Sequence, residues 1–112
     1  RTGEGMQQAL ATIRELRERH TRIKLNDQGK IFNTEMINIW ELGNLLHIAE
    51  MVTVCALART ESRGGHARDD YPKRDDANWL KHSLAWIEAD GSIRLDFKPV
   101  VITKYQPKER VY

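Results

Sequence analysis

Asn33–Arg59, NTEMINIWELGNLLHIAEMVTVCALAR, is the stretch whose reading decides the fold. It holds no proline and a single glycine, Gly43. Asn33 stands where an N-cap belongs, its short side chain able to accept an otherwise orphaned amide. Phe32 before it is placed to staple onto Ile37. At about 100° per residue, the apolar residues from Met36 to Leu57 leave no angular gap wider than about 60°. Ile37 and Cys55 point one way, Leu42 and Ala49 another, Ile39 and Leu57 a third, Met36 and Val54 a fourth. A helix apolar around its whole circumference must be covered on several sides. Its length is roughly 33 Å. Asn38, Glu41, Asn44, His47 and Glu50 recur along it, which argues against a transmembrane span and for the central helix of a bundle.

Before it, residues 4–25 read as a helix with one buried face. Met6, Ala9, Leu10, Ile13, Leu16, His20 and Ile23 fall within about 140° of one another. Glu15 with Arg19, and Glu18 with Arg22, sit at i,i+4 spacing, so the run RELRER reads as a solvated helix face rather than a nucleic-acid contact. His20 lies on the apolar side near the helix end, as a satisfied, partly buried histidine. Asn26-Asp27-Gln28-Gly29 is a turn that returns the chain, so the two helices are expected to pack antiparallel. The central helix is expected to span 33–62 and stop at Ser62-Arg63-Gly64-Gly65, with glycine as C-cap and Arg59 and Arg63 at the negative end of the dipole.

Residues 63–76 form a polar loop, His66–Asp76 (HARDDYPKRDD) being its densest part, where Pro72 and the charges forbid a buried regular element. Residues 77–112 hold the rest. Asp75 or Asp76 can cap a short helix carrying Asn78, Trp79, Leu80 and Lys81. The period then changes to two: Leu84 and Trp86 in one run, Ile93, Leu95 and Phe97 in the next, with Asp90-Gly91 as the turn between. This predicts a β-hairpin of His82–Glu88 and Ser92–Val101, Pro99 pushing the second strand toward an edge. Tyr105–Tyr112 is a polar extended tail. The fold class expected is mainly α: an antiparallel helical hairpin, two helices of a spectrin-repeat-like three-helix bundle, followed by the loop, the short helix and the β-hairpin.

The chain has 112 residues, enough for one domain. Its 18 Lys and Arg against 16 acids, both signs interspersed, give no support to a nucleic-acid partner. A single cysteine, Cys55, makes neither an internal disulfide nor a cysteine-rich zinc site. No signal peptide is visible. Arg1-Thr2-Gly3 reads as an internal cut point, so a piece of something longer is expected.

Five places carry residue types capable of chemistry, and each has a plainer reading. His66, Asp69 and Asp70 are metal-binding types, but their spacing matches no standard ligand pattern and Arg68 sits among them. His47 has no partner histidine at i+4 and reads as a packed or interface residue. Cys55 lies between apolar neighbours, the wrong surroundings for a thiolate. Gly64-Gly65 beside Arg63 offers backbone amides to an anion, without a phosphate-loop motif. Arg59, Arg63, Arg68 and Arg74, alternating with Glu61, Asp69, Asp70, Asp75 and Asp76, most simply make a structural ion-pair network. No complete active site emerges: no catalytic, cofactor-binding or metal residue is assigned.

Several stretches nevertheless resemble one family. They are Phe32-Asn33-Thr34, Glu41–Leu46 (ELGNLL), Ala58–Pro72 (ARTESRGGHARDDYP), Arg74-Asp75-Asp76, Trp79–His82 (WLKH), and the tail from Tyr105 to Arg110 with Tyr112. Together the chain resembles the C-terminal helical domain of the succinate dehydrogenase/fumarate reductase flavoprotein subunit. L-aspartate oxidases share a similar ESRG-x-H motif; WLKH and the Pro-Lys-Glu-Arg tail favour the dehydrogenase. The resemblance implies a parent that oxidises succinate to fumarate on FAD and passes electrons to an iron–sulfur subunit, peripheral on the cytoplasmic side of the inner membrane. It implies no catalytic residue here and no cofactor in this piece. It also implies a further helix preceding Arg1. Arg59, Arg63, His66, Arg68, Asp69 and Arg74 become candidate contacts to the flavin domain of the same chain or to the iron–sulfur subunit. The central helix, short of a neighbour, is expected to drive dimerisation of the isolated piece. A free-standing helical interaction module is the alternative of another class.

Overall fold

The computed structural model describes residues 1–108; of the tail expected at Tyr105–Tyr112, residues 109–112 lie outside the described residues. The elements in chain order are α1 (Gly3–His20), α2 (Thr34–Ala58), α3 (Asp76–Trp79), β1 (Lys81–Ile87) and β2 (Ile93–Pro99).

Thr2 caps α1, its Oγ1 accepting the Gly5 amide at 3.2 Å. The helix stops at His20, five residues short of the predicted end, and tightens there: the Arg22 and Ile23 amides reach back only three residues, to Arg19 and His20. Glu35, in the first turn of α2, holds the next residues off a helical path. Its carboxylate accepts the amides of Asn26 (3.0 Å) and Asp27 (2.7 Å) and the Asn26 side chain (3.0 Å). Glu18 pairs with Arg22 at 2.9 Å; the other expected i,i+4 pair, Glu15 with Arg19, is not among the ion pairs of the described residues.

Asn33 is the N-cap of α2, as predicted, accepting the Met36 amide at 2.9 Å. The Phe32 staple does not form. Phe32 adopts a left-handed φ of 52° and its ring is 94 % exposed. The approach to the helix is fixed instead by the Asn33 amide group, which donates to the carbonyls of Asp27 (2.8 Å) and Gly29 (2.9 Å). At the other end α2 stops at Ala58, not near residue 62, and no glycine caps it; Arg59 is already extended.

The two helices run antiparallel. Gly3 at the start of α1 meets Asp70 beside the end of α2, while His20 at the other end bonds the Ile39 carbonyl, 2.8 Å. Met6 and Leu46 are the buried apolar side chains between them. Gly43 permits the crossing, because a Cβ there would stand 2.8 Å from the His20 ring. Glu50 is buried on α2 and held by Arg14 and Arg17, both from the run predicted to be a solvated face.

The β-hairpin is antiparallel, with Ser83 opposite Phe97, Ala85 opposite Leu95 and Ile87 opposite Ile93. Both strands are shifted slightly from prediction: Lys81 belongs to β1 rather than to the short helix, and the strands end at Ile87 and Pro99. The period-two reading holds for β2, where Ile93, Leu95 and Phe97 are partly covered and Arg94, Asp96 and Lys98 exposed. Leu84 and Trp86 belong to the opposite face, because the register sets them against Asp96 and Arg94. There the Arg94 guanidinium lies 4.2 Å over the Trp86 ring. Gly91, with φ of 80°, makes the turn possible.

The hairpin packs against α2, α1 against another side, and a third side stays open. Ile37, Trp40, Leu45, Ile48 and Val52 occupy one arc of α2 and are all exposed, Trp40 at 74 %. The radius of gyration is 18.5 Å, with extents of 57 × 33 × 32 Å. A compact chain of this length has a radius of about 13 Å. By length and hydropathy alone α2 could cross a membrane. Its buried Glu50, answered by two arginines, is the mark of helix-on-helix packing instead.

Candidate functional site

The expected network of arginines and carboxylates is present, and it is built around one residue the sequence did not single out for that place. Glu61 has no exposed surface at all. Its carboxylate accepts Arg59 Nη1 (2.5 Å), Arg63 Nε (2.9 Å) and Nη2 (3.1 Å), and the Asp75 amide (2.9 Å). Burial works against its ionisation, but the hydrogen bonds from Arg63, the Asp75 amide and Arg59 win and hold the carboxyl below its ordinary range. Arg63 also reaches Asp76 at 2.5 Å, and Arg74 meets the other Asp76 oxygen at 2.9 Å. Asp75 caps α3, accepting the Asn78 amide at 3.1 Å.

Arg59 ties the junction to the hairpin. It donates to the carbonyls of Trp79 (2.9 Å) and Lys81 (2.5 Å) and to Ser83 Oγ (3.2 Å), and its guanidinium lies 5.0 Å over the Trp79 ring. The Trp79 indole nitrogen donates to Thr60 Oγ1 at 3.0 Å, and the ring meets Phe97 edge to face.

Arg68 does what glycine was expected to do. Only 3 % exposed, it sends Nη1 to the carbonyls of Ala56 (3.2 Å), Leu57 (3.1 Å) and Arg59 (3.3 Å), the unsatisfied acceptors at the end of α2. A guanidinium at that point also suits the negative end of the helix dipole, the place predicted for Arg59 and Arg63. Its other edge grips Asp70 through two bonds of 2.7 and 2.6 Å. This pairing, with a further bond from the Gly3 amide, pulls the Asp70 carboxyl far below the usual range. Ser62 supports the loop by accepting the Arg68 amide and donating to the Tyr71 carbonyl, both at 2.8 Å.

His66 and Arg63 exchange backbone hydrogen bonds around Gly64-Gly65, with Gly64 at φ of 58°. His66 Nε2 lies 3.3 Å from the Arg59 carbonyl. Asp69 is exposed, and its amide donates to the Arg1 carbonyl at 2.8 Å. His66, Asp69 and Asp70 thus turn to three different partners, and among the described residues no group of three is placed to hold a metal. Of the six candidate contact residues, Arg59 and Arg68 are absorbed in holding the domain together. Arg63, His66, Asp69 and Arg74 present part of their surface at the rim. Beside them opens an apolar cleft of about 530 Å³ lined by Ile48, Met51, Val52, Cys55, Ser83 and Ala85. Burial there pushes the Cys55 thiol up, away from reactivity.

The sequence family described as fumarate reductase flavoprotein C-term matches residues 1–112. The fumarate reductase flavoprotein subunit of Haemophilus influenzae is 47 % identical over 107 residues, covering 96 % of this chain and 18 % of that protein. The succinate dehydrogenase flavoprotein subunit of Rickettsia felis is 41 % identical over 119 residues, covering 100 % of this chain and 20 % of that protein. A solved chain of E. coli quinol fumarate reductase superposes with a TM-score of 0.95 at 44 % identity, over 100 % of this chain and 20 % of that one. The Mycobacterium smegmatis Sdh1 complex gives a TM-score of 0.71 at 33 % identity, over 95 % of this chain and 18 % of that one. The chain therefore spans about a fifth of the proteins it matches. With the helical hairpin, the arginine–carboxylate junction and the β-hairpin all inside the match, the chain belongs to the C-terminal domain family of succinate dehydrogenase and fumarate reductase flavoprotein subunits.

Proposed function

We propose that this chain serves as the C-terminal domain of a flavoprotein subunit whose parent enzyme oxidises succinate to fumarate through FAD and passes electrons to an iron–sulfur subunit, peripheral to the cytoplasmic side of the inner membrane. The observation that carries this reading is the match along the whole chain to subunits of both names. The domain's own part is assembly. Arg59, Arg63 and Arg68 are engaged within the domain, and the turns at Gly64 and Gly91 carry their own backbone bonds, which supports a packing role. The resemblance implies FAD in the remainder of the parent, and the piece alone is expected to be inactive. Arg63, His66, Asp69 and Arg74 face the flavin domain or the iron–sulfur subunit.

The full-length subunit is expected to purify with FAD and with an iron–sulfur partner. Arg63→Ala in it should lower assembly or stability more than substrate affinity. Unchanged assembly with a raised KM would assign Arg63 to the substrate site instead. An L-aspartate oxidase would purify without the iron–sulfur partner. A second reading, fumarate reduction, is favoured by the Haemophilus influenzae relative at 47 % identity and the E. coli fold match. Comparing succinate oxidation with fumarate reduction in the purified complex decides between the two.

The isolated piece is proposed to dimerise through the open arc of α2, where Trp40, Leu45, Ile48 and Val52 are exposed. Light scattering at tens of micromolar should report a dimer, and Trp40→Ser with Ile48→Ser a monomer.

A further inference from the structure

We propose that Arg68 and Asp70 form a clasp that fixes the direction in which the parent chain runs into α1, and so sets the angle of this domain on the flavin-bearing part; the proposal rests on the parent assignment above. Asp70 Oδ2 accepts the Gly3 amide at 2.8 Å, at the first turn of α1. The same carboxylate holds Arg68, whose Nη1 closes the last carbonyls of α2. One bidentate ion pair therefore joins the positive end of one helix to the negative end of its antiparallel neighbour, favourable at both ends.

Two further contacts extend the hold beyond the helix itself. The Asp69 amide donates to the Arg1 carbonyl at 2.8 Å, and Arg1 Nη1 lies 3.5 Å from the Gly65 carbonyl. Residues 1–3 are consequently laid along the loop on a fixed path rather than fraying from it. Gly3 fits this geometry closely: a Cβ there would stand 3.1 Å from Arg68 Nη2 and 3.2 Å from Asp70 Oδ2. Arg68 cannot swing away to relieve such a push, because it is buried and spans three carbonyls. A chain segment pinned at Arg1 and at Gly3 transmits orientation to whatever precedes it.

The test uses the full-length subunit. In Asp70→Ala, hydrogen exchange of the amides of residues 2–6 should rise at least about tenfold while those of residues 36–54 stay unchanged; Asp70→Asn, which keeps one acceptor for Gly3, should fall between. Gly3→Ala should act in the same direction as Asp70→Asn without removing a charge. The distance distribution between a spin label at exposed position 98 and one in the flavin-bearing part should broaden in Asp70→Ala. Unchanged exchange at residues 2–6, equal acceleration along residues 36–54, or an unchanged distance distribution would each overturn the clasp. A wild-type subunit without flavin would overturn the parent assignment alone, since the exchange comparison does not depend on flavin.

Discussion

Glu50 of α2 and Arg17 of α1 close an ion pair across the helical hairpin, 33 residues apart in the chain. Arg14 joins them through Nε at 2.9 Å, and the Glu50 side chain keeps only 4 % of its exposure. A buried carboxylate is tolerated where attraction and hydrogen bonds offset its desolvation. Removing the acid by Glu50→Ala is expected to destabilise the subunit by about 3 kcal/mol, read from denaturant unfolding. Glu50→Leu should lose less than half of that, because it refills the space and Arg14 and Arg17 can turn to water.

The same carboxylate and Glu61 set an acid limit. Burial opposes the ionisation of both, yet their arginine hydrogen bonds prevail and hold each below its ordinary 4.5. A carboxyl depressed on folding contributes stability in full above its unfolded value and loses it as pH falls through the folded one. Stability is therefore expected to be flat above about pH 5 and to fall steadily below the ordinary carboxylate range. Glu50→Gln should flatten part of that fall in thermal unfolding against pH. An identical slope in wild type and variant would contradict it.

Gly43 and His20 predict a sign reversal. Gly43→Ala in a helix interior ordinarily gains about 1 kcal/mol. Here the new Cβ meets the His20 ring at 2.8 Å and dislodges its bond to the Ile39 carbonyl. The substitution should instead destabilise by about 1 kcal/mol. In a His20→Ala background the same change should stabilise. A double-mutant cycle by thermal unfolding checks both signs.

Trp79 is where the junction meets the hairpin. Its ring has Arg59 at 5.0 Å and Lys81 at 4.7 Å and meets Phe97 edge to face, while its nitrogen donates to Thr60. Trp79→Phe should cost about 1–2 kcal/mol through the lost hydrogen bond and the smaller, weaker cation–π face. Trp79→Ala should cost at least about 3 kcal/mol. Equal effects of the two would mean that the ring contributes nothing beyond the hydrogen bond.

Legibility from the sequence followed the range of the interactions. Asn33 was readable because a cap acts on the amide three residues on, and the alternation of Ile93, Leu95 and Phe97 because a strand imposes it locally. The many-sided apolar character of α2 was readable too, and its open arc is its structural counterpart. The end of α2 was misplaced because its cap, Arg68, comes from beyond the Gly64 turn. Glu50 looked like a polar interruption because its partners lie on another helix. The spacing of Leu84 and Trp86 marked a strand, but only the register decides which face they share with β2. At the junction the charge alternation announced a network, while Glu61 as its buried centre depended on the loop's own path.

The late arrival of Arg68 also orders events during synthesis. A chain made from its N-terminus can wind α2 as soon as residue 58 is available, but the final carbonyls stay open to water until ten more residues have emerged. The last turn of the long helix and the first turn of its neighbour are then completed by one side-chain pair, in a single late step. A nascent chain of which only residues up to 67 have left the ribosome would present a helical pair open to water at the same end of both helices.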